Sequence, residues 1–174
     1  AHFQSLIKEL RQLAQDAGAE SELAFRCESR VGDIYYNCLH DKKAAYVQYK
    51  SLERHPSLAG HSLDEDYRRT ELFLNISEAA FAVREWTAVE AYTRMVMAYP
   101  YLGMEDRVMY QRFYDLYDRA GLLFVQAFEA DPKKLLSVEI YPSHPELRQL
   151  RRKFIAQYMG ADEQLSPEEV VKIV

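Results

Sequence analysis

Five histidines, His2, His40, His55, His61 and His144, are the side chains in this sequence best suited to proton transfer or metal ligation near neutral pH. Only His55 and His61 share a loop, just ahead of the acidic run Asp64-Glu65-Asp66. Their spacing is neither that of a helical ligand pair nor that of a finger, and no cysteine joins them, so nothing fixes the geometry a metal needs. Asp64, Glu65, Asp66 and the pair Glu168-Glu169 fall in the first turns of predicted helices, where the helix dipole accounts for acidic residues without catalysis. The sequence has no nucleophile elbow, no HExxH, no CxxC and no phosphate-cradling glycine loop. It therefore predicts no catalytic residues, no metal and no cofactor. The basic face made by Arg148, Arg151 and Arg152 beside Lys153 reads as solvated surface, with an acidic tail or a lipid surface as its functional alternative.

The composition describes what would have to position any site. At 174 residues and 48% hydrophobic, the chain can bury a sizeable core or form a short stack of helix pairs. A net charge of −5 argues against a nucleic-acid backbone as partner. No apolar run approaches the roughly 20 residues that span a bilayer, so a soluble protein without a membrane span is expected. Cys27 and Cys38 share a predicted helix, where 11 steps of about 1.5 Å hold them roughly 16 Å apart, too far for a mutual disulfide. Free buried thiols are expected, which points to a reducing, cytoplasmic compartment. The sequence opens at Ala1 without a methionine, as a processed chain or a piece of a longer one would.

Along the chain the apolar period is helical throughout. Phe3, Leu6, Ile7, Leu10, Leu13 and Ala14 form one stripe ending at Gly18. Helices are predicted over 21–39 with Ser21 as cap, over 42–53, and over 62–84 behind the capping box Ser62/Glu65. Further helices follow from Trp86 to Pro100, over 105–116, and over 117–132. Gly32, inside the second helix, is costly unless another helix approaches closely there. Beyond Pro132, short helices are expected near 133–141, 143–160 and 166–174.

The stretch YDRAGLLFVQAFEADP, with Tyr117, Ala120, Phe124, Ala127 and Pro132, resembles the second helix of a tetratricopeptide repeat. Gly32, Tyr35, Ala44, Ser51 and Pro56 match the positions that such a repeat uses across its helix pair, although Gln48 stands where an aromatic is expected and Tyr49 follows it. The segment REWTAVEAYTRMVMAYP is similar again. The resemblance implies an all-α, right-handed helical-hairpin solenoid of nine or ten helices. It would comprise an N-terminal helix over 1–20, three degenerate pairs over 21–56, 62–100 and 104–132, and a helical cap over 133–174. The proline spacings, 44 and then 32 residues against the family's 34, make the repeats irregular.

The same resemblance implies a non-enzymatic scaffold that holds a peptide or helix of a partner protein in the groove lined by the first helix of each pair. In this chain that groove would present Arg26, Asp33, Tyr36, Asn37, Glu71, Glu78, Met109 and Arg112. The lysines of family members that clamp a C-terminal carboxylate are missing. Alternatives are a sensor domain for a small peptide or metabolite within a larger signalling protein, an all-α enzyme, and a homodimer through the aromatic helix surface.

Overall fold

The computed structural model describes residues 2–130. The chain divides into two compact units, Ala1–Pro100 and Tyr101–Val174. Among the described residues the secondary structure is entirely helical, with six α-helices: α1 (His2–Ala17), α2 (Glu22–Asp33), α3 (Lys42–Ser51), α4 (Leu63–Ala82), α5 (Trp86–Met97) and α6 (Arg107–Ala130). Among these residues the expected nine or ten are not reached. One reason is that the pair predicted over 104–132 is a single helix as far as Ala130. No proline or polar cluster interrupts the stretch from Leu116 to Tyr117, so the helix runs on. The cap predicted over 133–174 lies outside the described residues.

Helix starts obey local chemistry. Ser21 accepts from the backbone N–H of Ala24 at 3.0 Å, and Asp41 from that of Ala44 at 2.9 Å. Ser62 and Glu65 form the reciprocal capping box expected of them. In the second unit Asp106 accepts from the N–H groups of Val108 and Met109 at 2.9 and 3.0 Å, opening α6.

In the first unit each helix packs antiparallel to the next. Between α4 and α5, Asp66 accepts from Tyr99 Oη at 3.0 Å, the rings of Phe73 and Tyr92 lie 5.7 Å apart, and those of Phe81 and Trp86 lie 5.3 Å apart. These rungs advance along α4 as they recede along α5. Between α2 and α3, Gln48 Nε2 donates to Glu28 at 2.8 Å and Tyr49 Oη to Asp33 at 2.8 Å. Gln48, the position where an aromatic was expected, is thus a polar tie, and Tyr49 supplies the ring. That ring lies against Gly32: a Cβ there would fall 2.4 Å from Tyr49 Cε1, which explains the glycine.

The two helix pairs reverse direction in the same way. His40 and Arg84, 44 residues apart, are both left-handed, with φ of 55° and 63°. Behind Arg84 the N–H of Glu85 closes on Ala80 O at 2.9 Å, the usual six-to-one ring of a helix C-terminus. Behind His40 the ring is one residue wider, Asp41 N–H to Tyr35 O at 2.9 Å, because α2 runs into a π-helical turn over Ile34–Cys38. The core of the unit gathers around α4, where Leu72, Ile76 and Ala79 meet Phe25, Ala45 and Tyr92. Leu72 and Ile76 are essentially fully buried, each contributing about 1.5–3 kcal/mol. Smaller clusters join α1 to α2: Ile7 with Val31 and Ile34, and Ala14 with Ala24 and Cys27.

Candidate partner-binding surface

Six of the eight positions expected in the groove lie in the first unit, on α2 with its π-turn and on α4. These helices are not consecutive, yet side chains link them across α3. Glu22, at the start of α2, pairs with Arg26 at 2.5 Å and also with Arg68 of α4. At the other end burial and then the Glu78 carboxylate raise the phenol pKa of Tyr36, and burial, then Asp33, then Glu78 raise that of Tyr49. The start of α2 is therefore tied to α4 through Glu22 and Arg68, and Phe25 of α2 shares a buried cluster with Leu72 and Ile76 of α4.

This arrangement polarises the face. Arg26 and Arg68 share Glu22 at one end. At the other, Asp33 holds the Tyr49 hydroxyl, and Glu78 adds negative charge near Tyr36 and Tyr49. Asp33 is doubly engaged, accepting from Tyr49 Oη and from Arg30 Nη1, the latter at 2.9 Å. Tyr49 is buried, and burial, Asp33 and Glu78 together keep its phenol protonated well beyond the usual range, so it remains a donor. Tyr36 carries Lys42 over its ring, with Nζ 3.4 Å from the centroid, and Lys42 also donates to the Tyr36 carbonyl at 2.7 Å. Glu71, exposed between the two ends, accepts from Tyr67 Oη at 3.4 Å. Asn37 is exposed on the π-turn.

The structure thus brings Asp33, Tyr36 and Glu78 together around Tyr49 and sets Arg26 at the opposite end. Met109 and Arg112 belong to the second unit. Met109 is a correction: it is buried, only 7% exposed, with its sulfur 3.5 Å from Arg112 Nη1, so it does not line an open groove. A thioether on the α6 stripe that also holds Phe113 and Leu116 is drawn inward with them. Sequence reasoning missed Arg68 and Tyr49. Arg68 carries no signal beyond its charge, whereas the Gly32 and Tyr49 pairing was detectable as a glycine demanding a close neighbour.

Beside this face, α1 and α2 enclose a cleft of about 340 Å³ lined by Leu6, Leu10, Ile34 and Cys38, with Arg30, Asp33 and Asn37 at its rim. Cys38 is exposed and Cys27 buried, which corrects the expectation of two buried thiols: the π-turn carries Cys38 to the surface. His55 is structural, its ring bonded to Ser57 Oγ at 2.8 Å and to Ala19 O at 2.9 Å. No group of three or more His, Cys, Asp or Glu side chains among the described residues is arranged to hold a metal. No helix of the described residues is long and apolar enough to cross a membrane. Comparison of the chain with models of known families, with characterised proteins and with solved structures finds no match.

Proposed function

We propose that this chain is a non-enzymatic protein-interaction scaffold of tetratricopeptide-like hairpins that holds a peptide or helix of a partner protein across the face of α2 and α4. The observation that carries it is the tie between these two first helices, Glu22 of α2 to Arg68 of α4, with Phe25 of α2 in one buried cluster with Leu72 and Ile76 of α4. Two hairpins whose reversals fall 44 residues apart support the repeat character. A face basic at Arg26 and Arg68 and acidic at Asp33 and Glu78 selects a segment of opposite polarity and fixes its direction. Such a ligand would place a carboxylate near Arg26 and a lysine or arginine near Asp33.

Arg26 and Glu71 are both exposed, so Arg26→Glu with Glu71→Lys changes the face without touching the core. Native and doubly substituted chains, used as baits in the source lysate with quantitative mass spectrometry, should differ by about tenfold in capture of a specific protein, the loss of about 1.4 kcal/mol. Equal capture of the same proteins by both baits, with unchanged circular dichroism, overturns the assignment. So does native chain that captures no protein and purifies with a stoichiometric small molecule, which is the behaviour of a metabolite sensor.

A further inference from the structure

We draw no further inference here: the strongest candidate, the apolar cleft of about 340 Å³ that α1 and α2 enclose around Leu6, Leu10 and Ile34, has arginines beside it that are already paired within the chain, Arg30 with Asp33 and Arg26 with Glu22, and nothing in the structure shows what covers it.

Discussion

Replacing Gly32 with alanine sets helix propensity against packing. In an unobstructed helix interior the change stabilises by about 1 kcal/mol. Here the new Cβ would fall 2.4, 2.7 and 2.9 Å from three atoms of the Tyr49 ring. The ring cannot simply withdraw: it is 3% exposed, and its hydroxyl is anchored on Asp33 at 2.8 Å. Overpacking of this kind costs about 1–3 kcal/mol. Displacing the ring also breaks a hydrogen bond to a carboxylate, about 1.5–3 kcal/mol more. The sum outweighs propensity, and Gly32→Ala should destabilise the first unit by about 2–4 kcal/mol, a large share of the 5–15 kcal/mol typical of a domain. Urea unfolding followed by circular dichroism measures it. The sign should invert when Tyr49 is first replaced by alanine: in that background Gly32→Ala adds up to about 1 kcal/mol, because only propensity remains. If Gly32→Ala is as stable as the native chain while Tyr49 is present, the close approach of α2 and α3 does not explain the glycine.

Four further outcomes follow from particular contacts. Ser62→Ala should cost about 1 kcal/mol by opening the capping box, and Gly60→Ala should disturb the same box, because its Cβ would meet the Glu65 carboxylate at 2.2 Å; thermal melts of both variants test this. The hydrogen bonds from Ser62 hold the Glu65 carboxyl below its ordinary pKa of about 4.3, so their contribution is complete above that pH and is lost as pH falls through the lowered value; stability of Ser62→Ala should fall less steeply over that acid range. In the second unit, burial of Tyr101, with Tyr117 and Tyr110 each 5.4 Å away, pushes its phenol up to about 12. The stability it contributes is complete below the ordinary tyrosine value of about 10 and disappears as pH rises through 12, and Tyr101→Phe should remove this alkaline loss in a titration of stability against pH. Finally, Cys38 should alkylate in the native state and Cys27 only on unfolding, since burial and then Glu28 raise the Cys27 thiol; peptide mapping after a short alkylation pulse distinguishes the two.

Much of this architecture is local chemistry, and the sequence by itself determined that part. Ser21, Ser62 and Glu65 set helix starts, Gly18 sets a stop, and the three-and-four apolar spacing sets which faces turn inward, because each depends only on residues within a turn or two. Gly32 even announced a close neighbour. The identity of that neighbour was decided by the tertiary structure: Tyr49 came to it and Gln48 reached Glu28, through a shift of one residue at the helix crossing that intrinsic periodicity does not encode. The π-turn over Ile34–Cys38 and the left-handed His40 were likewise not legible, since bulky residues enter such conformations only when surrounding contacts compensate for the strain. The unbroken α6 shows the same division in reverse: a repeat pattern suggested a hairpin over 104–132, but a reversal needs a backbone breaker, and none lies between Leu116 and Tyr117. Which charges share a surface was also a tertiary outcome. Arg26 and Glu78 are 52 residues apart in the sequence, and they occupy opposite ends of one face only because side chains link α2 and α4, separated by a whole helix in the chain.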